Sequence, residues 1–378
     1  MSFIHLCTFT FEKDMIKHHM PVNQERKSNI ELLRIIAMGM IVIYHVFVHG
    51  IAPTGLLSQT TLSMLCIPVI FGVNIFVIIS GYFGIRLSWR SFLSLMWIIA
   101  FYKLFHLCGD TFLLKIEHPI FEWILKPLSG PISGGGWFID IYVLLMLISP
   151  LLNKLLSTLN QHDYWVGLGI LSLLDIGYGF FLNKHFDAYG YSLLHFILLY
   201  YIGNMLQKHR LNSIYKSGGG YLTILCITLI SLYLLQDTQW GVKLATSYSS
   251  PLVLIGSIYI FTFFTNLSIS YCPTINFIAA STVPATINGK FPYCPTINFI
   301  AASTLPVYLI HDAGNIANWY YQQIGTWFKE LSLINFAIHA ASLVIILFTF
   351  AILIDQPRKW IWKLLLNQIP SIQSIKKV

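Results

Sequence analysis

The chain has 378 residues, of which 56% are hydrophobic and only 10% are charged. Soluble domains usually carry about 25% charged residues, so the composition excludes a chain that is built entirely of soluble domains. The net charge of +8 does not indicate nucleic-acid binding, because no block of basic residues is interleaved with aromatic ones. The composition instead predicts a protein that lies in the lipid bilayer.

Residues 1–28 are predicted to form a cytoplasmic N-terminal tail. They include charged residues such as Asp14, Arg26 and Lys27, and they contain no compact apolar run that ends in small residues. A cleavable signal peptide has such a run, so that interpretation is rejected for this segment.

Apolar segments then recur along most of the chain. A helix needs about 20 apolar residues to cross the hydrocarbon layer. We therefore predict an all-α, polytopic membrane protein of about ten transmembrane helices, in a membrane domain over 29–360 that is followed by a cytoplasmic tail at 361–378. The candidate spans lie near residues 30–50, 62–84, 91–109, 136–157, 164–183, 191–206, 220–236, 251–265, 297–315 and 333–354.

The basic residues predict how the chain is oriented. Cytoplasmic loops of membrane proteins collect Lys and Arg. If the N-terminus lies inside and the spans alternate, most of the 23 Lys and Arg residues fall in inside loops. Lys103 lies within a span, and those that fall outside are Lys115, Lys126, Lys184, Lys243 and Lys329. We therefore expect an inner (cytoplasmic) membrane protein with both termini in the cytoplasm.

One short segment is duplicated. The residues Tyr271–Thr282 recur unchanged as Tyr293–Thr304. Repeat architectures need three or more units, so two identical copies indicate a local duplication rather than a solenoid. Only the second copy continues into a predicted span, and 271–292 is therefore interpreted as an inserted cytoplasmic segment.

The first span contains two ionisable residues, Arg34 and His45. Eleven helical residues rotate the chain to within about 20° of three full turns, so the two side chains share one face and lie about 16 Å apart along the axis. Ionisable residues inside a span are costly and usually functional. The alternative is that Arg34 reaches lipid phosphates and that His45 only packs between helices. The residues alone leave both interpretations open.

The second span is followed by two arginines one helical turn apart, Arg86 and Arg90. Near its end, Ser80 and Gly81 allow another helix to approach closely. The arginines are predicted on the same membrane side as Arg34, where the three can bind a cytosolic phosphorylated ligand, because guanidinium groups pair with phosphate through two hydrogen bonds. Simple anchoring of the span to lipid is the alternative.

The outer ends of two other spans carry candidate contacts for a substrate. Trp137, Asp140 and Tyr142 begin the fourth span, and His311 lies at the outer end of the ninth. The aromatic rings can stack on a sugar and Asp140 can bond to a sugar hydroxyl. Interfacial anchoring of the aromatic residues is the alternative.

Other polar and thiol groups give weaker signals. The six cysteines form no CxxC pair and no His–Cys cluster, so we expect packing cysteines and no metal. Asp175 and His195 are isolated polar residues within spans, and either a function or a hydrogen bond between helices explains them.

Four motifs follow one another along the chain. They are an Arg-x10-His pattern from Arg34 to His45 in a segment that begins IELLRIIA, NIFVIISGYF (Asn74–Phe83), WFIDIYVLLMLISPLLN (Trp137–Asn153) and STLPVYLIHD (Ser303–Asp312). Together they resemble the acyltransferase type 3 superfamily of membrane acyltransferases. The resemblance implies O-acylation, most often acetylation, of a saccharide of the cell surface, with cytosolic acetyl-CoA as donor. The expected partners are therefore acyl-CoA, a saccharide acceptor and the lipid bilayer.

The residues fit this chemistry. Acyl transfer to a hydroxyl requires a base, and His is the usual one near neutral pH. His45 is therefore predicted as the base, with Arg34 as its catalytic partner, and Arg86 and Arg90 as ligands of the coenzyme phosphates. No G-x-S-x-G motif is present, which favours direct transfer over an acyl-enzyme. The alternative function is a transporter or flippase of a lipid-linked saccharide.

Overall fold

The computed structural model describes residues 27–129, 136–182, 189–209, 213–268, 294–312 and 314–368. Within these ranges the chain is helical and contains no strand, so the predicted all-α class is confirmed. The predicted insert at 271–292 lies outside the described residues, as do most of the N-terminal tail and residues 369–378 of the C-terminal tail.

Fifteen α-helices are described, and two of them continue directly into π-helical segments. In chain order they are α1 (Ser28–His45, continued by π-helix Val46–Ile51 and the 3-10 turn Ala52–Thr54), α2 (Gln59–Cys66), α3 (Gly72–Phe83), α4 (Trp89–Phe112), α5 (Ile120–Leu128), α6 (Trp137–Thr158), α7 (Gln161–Ser172, continued by π-helix Leu173–Phe181), α8 (Leu193–Lys208), α9 (Ile214–Leu234), α10 (Gln239–Thr246), α11 (Pro251–Thr265), α12 (Pro295–Ala301), α13 (Thr304–His311), α14 (Gly314–Glu330) and α15 (Leu333–Gln368).

Seven helical stretches in the described ranges are long and apolar enough to cross a membrane, and two shorter apolar helices add to them. The protein is therefore a polytopic membrane protein, whereas the predicted count of about ten spans is not confirmed. One reason is that the predicted span 62–84 contains a turn between α2 and α3, and that 297–315 is divided between α12, α13 and α14. The seven stretches are Ser28–Thr54, Trp89–Phe112, Trp137–Thr158, Gln161–Phe181, Ile214–Leu234, Gln239–Thr265 and Leu333–Leu366.

The centre of the fold is the close packing of α3 on α8. A Cβ atom added to Gly81 would lie 2.1 Å from the Tyr200 carbonyl oxygen, and one added to Gly203 would lie 2.2 Å from the Ile78 carbonyl oxygen. Only glycine allows two helix backbones to approach this closely. The predicted close approach at Gly81 is therefore present, and its partner is Gly203.

A buried cluster of polar side chains links α3 and α8 to a third helical segment by hydrogen bonds. His195 Nδ1 lies 2.8 Å from Asp175 Oδ2, and His195 Nε2 lies 3.2 Å from Asn74 Oδ1. All three residues are fully buried. Asp175 and His195 are therefore partners that join α3, α8 and the π-helix after α7, which supports the hydrogen-bonding interpretation of these two residues.

The second copy of the duplicated segment belongs to the packed fold. The Ser28 hydroxyl, at the start of α1, accepts a hydrogen bond of 2.7 Å from the Cys294 N–H and donates one of 3.3 Å to Asn298 Oδ1. Further along, the buried Ser303 hydroxyl donates to Asp355 Oδ2 on α15 at 2.7 Å. These bonds fix α12 against α1 and the start of α13 against α15, and both contacts help to determine where His311 lies.

Candidate functional site

The first span presents Arg34 and His45 as the sequence predicts. Both residues belong to one uninterrupted α-helix, α1, so the shared face and the separation of about 16 Å follow from helix geometry. His45 is the last residue of α1, and the helix widens to a π-helix directly after it. Single π-helical turns inside helices are frequent at functional sites.

His45 contacts His311, the histidine that the sequence places at the outer end of the ninth span. His45 Nδ1 lies 3.1 Å from His311 Nε2, and both residues are buried. His311 Nδ1 lies 2.7 Å from the Val307 carbonyl oxygen, which can only accept, so this nitrogen carries the hydrogen. In the neutral rings His311 Nε2 then accepts from His45 Nδ1. His45 Nε2 keeps its lone pair and can take up a proton.

A carboxylate completes this arrangement. Asp312 Oδ1 lies 3.3 Å from His45 Nδ1, and both side chains are largely buried. A carboxylate at this distance stabilises the imidazolium that forms when a histidine takes up a proton. His45 can therefore act as a general base, with His311 fixing its tautomer and Asp312 stabilising its protonated form.

The backbone of this part of the site is held by two tyrosines of α14. Tyr320 and Tyr321 both donate their hydroxyl hydrogens to the His311 carbonyl oxygen, which lies at the free end of α13. The last carbonyls of a helix lack partners within the helix, and these hydroxyls supply one. The end of α13, and with it His311 and Asp312, is thus fixed against α14.

A third histidine lies beside the first. The rings of His45 and His49 are 5.1 Å apart between centroids, and the His49 ring lies 5.3 Å from that of Tyr321. His49 is exposed, unlike His45. One possible ligand atom on each of His45, His49 and Asp312 lies within 4.8 Å of the other two, so these three side chains can hold a metal ion.

The start of α6 lies directly against this group. Gly136 has φ +80°, and a Cβ atom there would lie 2.7 Å from Tyr308 Oη and 2.8 Å from Asp312 Oδ2. The next residue, Trp137, packs with its ring centroid 4.3 Å from that of Tyr191 and 5.6 Å from that of Tyr248. The predicted substrate contact Trp137 therefore lies in an aromatic cluster next to Asp312.

The other two predicted residues of α6 lie in different surroundings. The Tyr142 hydroxyl is 3.2 Å from the Ser80 hydroxyl of α3, which is a contact between helices. Asp140 is exposed. Their roles in substrate binding stay predictions.

At the opposite end of α1, Arg34 is paired rather than free. Arg34 Nη1 lies 2.8 Å from Glu31 Oε1, and its guanidinium carbon lies 6.0 Å from the centroid of Phe83 at the end of α3. Arg86 and Arg90 follow Phe83 closely in the chain, and their side chains are exposed. The structure therefore places Arg34 beside the segment that carries the other two arginines.

Five contributors to this arrangement are not predicted from the sequence. They are Glu31 and the tyrosines Tyr191, Tyr248, Tyr320 and Tyr321. The chain contains 20 tyrosines, so a single tyrosine outside a motif gives no signal. Glu31 could have been predicted, because it lies one helical turn before Arg34 and can pair with it.

Taken together, the fold defines a membrane-embedded, all-helical protein with a buried histidine–histidine–aspartate group. A family model described as an acyltransferase domain matches residues 27–355, and the chain belongs to that family, the acyltransferase type 3 superfamily. Comparisons with curated proteins and with solved structures find no match. The match covers most of the chain and includes His45, His311 and Asp312.

Proposed function

We propose that this protein is an inner-membrane O-acyltransferase that moves an acyl group, most often acetyl, from cytosolic acyl-CoA to a hydroxyl of a cell-surface saccharide. The observation that carries the proposal is the contact of His45 with His311 and Asp312 in a chain of an acyltransferase family. Acyl transfer needs a positioned base, and this group supplies one.

In the proposed reaction His45 Nε2 removes the proton from the acceptor hydroxyl. The hydroxyl oxygen attacks the thioester carbonyl carbon, and the carbon–sulfur bond breaks as the tetrahedral intermediate collapses. The proton on His45 then passes to the departing coenzyme thiolate, so the products are an ester and free CoA. Asp312 stabilises the imidazolium between these steps, and His311 holds the tautomer.

The donor is proposed to enter from the cytoplasmic end of α1. Arg34, Arg86 and Arg90 bind the coenzyme phosphates there, and the pantetheine arm extends along α1 to His45. The separation of about 16 Å between Arg34 and His45 is comparable with the length of that arm. Glu31 supports this arrangement by orienting the Arg34 guanidinium, which lies 2.8 Å from it.

The acceptor is proposed to approach from the outer side, over the start of α6. Trp137 offers an aromatic face for a sugar ring, and its neighbours Tyr191 and Tyr248 hold that face in place. Asp140 and Tyr142 remain proposed contacts on the same helix, and His311 is proposed to act mainly through His45, which it contacts.

The test uses purified protein in lipid nanodiscs with acetyl-CoA and candidate saccharide acceptors. The expected result is release of free CoA that depends on the acceptor, together with an acetyl ester on the saccharide detected by mass spectrometry. Movement of a lipid-linked saccharide across the bilayer without CoA release would contradict the proposal and support the flippase alternative.

A further inference from the structure

We propose that His45, His49 and Asp312 form a binding site for a divalent transition-metal ion of the zinc class, and that occupation of this site inhibits acyl transfer. Among the described residues these three form a group whose possible ligand atoms all lie within 4.8 Å of one another. The inhibitory effect rests on the proposed function, whereas the binding site rests only on the geometry.

The spacing of the donors fits such an ion. Zinc binds imidazole nitrogen and carboxylate oxygen at about 2.0–2.2 Å in tetrahedral geometry, so two ligands of one ion lie about 3.4 Å apart. His45 Nδ1 and Asp312 Oδ1 are already 3.3 Å apart. The possible ligand atoms of all three residues lie within 4.8 Å of one another, so the His49 ligand atom has to move by at most about 1.4 Å to reach the tetrahedral spacing. The His49 side chain is exposed, which leaves room for this movement.

The local backbone brings the two histidines together. They are four positions apart in the sequence, across the boundary between α1 and the following π-helix, and their ring centroids lie 5.1 Å apart. Histidines one helical turn apart are a common pair of zinc ligands. A carboxylate as third ligand leaves the fourth position for water.

The chemistry of the donors selects the class of ion. Two imidazoles with one carboxylate suit Zn²⁺ and its neighbours in the first transition row, whereas Mg²⁺ and Ca²⁺ prefer oxygen ligands. His49 is exposed and lies near the C-terminal end of the first span, which is the outer end in the predicted orientation, so the ion would arrive from the outer side.

Metal binding and base catalysis exclude each other at this site. A metal ion on His45 Nε2 occupies the lone pair that accepts the proton, and one on His45 Nδ1 replaces the hydrogen that bonds to His311. In either case the imidazole no longer accepts a proton from the acceptor hydroxyl. The ion would therefore inhibit acyl transfer reversibly.

Binding is tested first, without any measurement of activity. Purified full-length protein without a polyhistidine tag is treated with EDTA, desalted and titrated with Zn²⁺ by calorimetry and with Co²⁺ by visible absorption. We expect one ion per chain, at least tenfold weaker binding in His49→Ala and Asp312→Asn, and no change in His162→Ala, whose side chain is 84% exposed at the start of α7. Equal binding by wild type and His49→Ala would overturn the site.

Inhibition is tested on the same preparations. Zn²⁺ is expected to stop acyl transfer by the wild type, EDTA to restore it, and His49→Ala to keep its metal-free rate while losing at least tenfold in sensitivity to Zn²⁺. Inhibition that is equally strong in His49→Ala would overturn the regulatory part. If the metal-free wild type transfers no acyl group, the proposed function and the inhibition both fail, while the binding experiment still decides the site.

Discussion

His45 and His311 are separated by 266 residues in the chain, yet His45 Nδ1 lies 3.1 Å from His311 Nε2. The Val307 carbonyl oxygen fixes which nitrogen of His311 carries a hydrogen, and His311 in turn fixes the tautomer of His45. A helix of the N-terminal part and a helix of the C-terminal part thus jointly prepare one nitrogen, His45 Nε2, to accept a proton.

Replacement of His45 tests the proposed base. His45→Gln keeps a side chain of similar size but removes the basic nitrogen, so we expect kcat to fall by about a hundredfold to ten-thousandfold, the usual contribution of a general base. Initial rates of CoA release from acetyl-CoA measure this. The amount of inserted protein and its melting temperature serve as controls, and a variant that keeps more than half of the wild-type turnover would refute the assignment.

Gly136 allows a test of the position of Asp312. In Gly136→Ala the new methyl group would lie 2.8 Å from Asp312 Oδ2 and 2.7 Å from Tyr308 Oη, so both side chains must move. We expect kcat to fall by about tenfold or more, which corresponds to about 1.4 kcal/mol.

The matched control for this change is Gly84→Ala. Gly84 has φ +72° and ψ 121°, close to the +80° and 145° of Gly136, but a Cβ atom there meets its nearest neighbour at 3.6 Å, an ordinary van der Waals contact. Both variants carry backbone strain of about 1–3 kcal/mol, and only Gly136→Ala carries the steric conflict. Equal activity of the two variants would show that Asp312 does not need its observed position.

Replacement of Arg86 tests the proposed donor site. Arg86→Ala should raise the Michaelis constant for acetyl-CoA by about five- to tenfold, or about 1 kcal/mol, and leave that for the acceptor nearly unchanged. Arg86→Lys should also raise the donor constant, because lysine cannot make the bidentate contact. Salt should weaken donor binding in the wild type.

Lys216→Ala is the control for Arg86→Ala, because Lys216 is an exposed basic residue of α9 that is predicted on the same side. The Michaelis constant of Lys216→Ala for acetyl-CoA should match that of the wild type. If Arg86→Ala and Arg90→Ala both leave this Michaelis constant unchanged and both reduce the amount of inserted protein, these arginines only anchor the helix.

The packing of α3 on α8 is tested by one methyl group. In Gly203→Ala a Cβ atom would lie 2.2 Å from the Ile78 carbonyl oxygen, and such overpacking costs about 1–3 kcal/mol. We expect a lower melting temperature in detergent, or less inserted protein. Gly219→Ala, where nothing lies within 4 Å, should match the wild type, and equal stability of both variants would contradict this packing.

The predicted orientation is tested by labelling single cysteines from outside the cell, after the native cysteines have been replaced by serine. We expect a membrane-impermeant maleimide to label Ile120→Cys, whose native side chain is 83% exposed, and to leave Ala285→Cys protected. Labelling at 285 with protection at 120 would reverse the predicted topology.

Predictions that depend on local geometry agree with the structure. The apolar composition predicted an all-helical membrane protein, and the eleven-residue spacing placed Arg34 and His45 on one face of α1. Both follow from properties that act over one or two helical turns, namely the cost of leaving peptide groups unpaired in lipid and the regular rotation of the helix. The motifs that indicated the family are local in the same sense.

Only the tertiary structure decided which of these residues meet. Hydropathy predicted the apolar segments, but it predicted neither the turn between α2 and α3 nor the division of 297–315 into shorter helices. The reason is that a helix buried in protein can be interrupted, whereas a helix exposed to lipid cannot. The pairing of Asp175 with His195, and of His45 with His311 and Asp312, depends on how helices far apart in the chain pack together. A glycine contact such as Gly81 on Tyr200 sets that packing, and nothing in the sequence spacing of the partners encodes it.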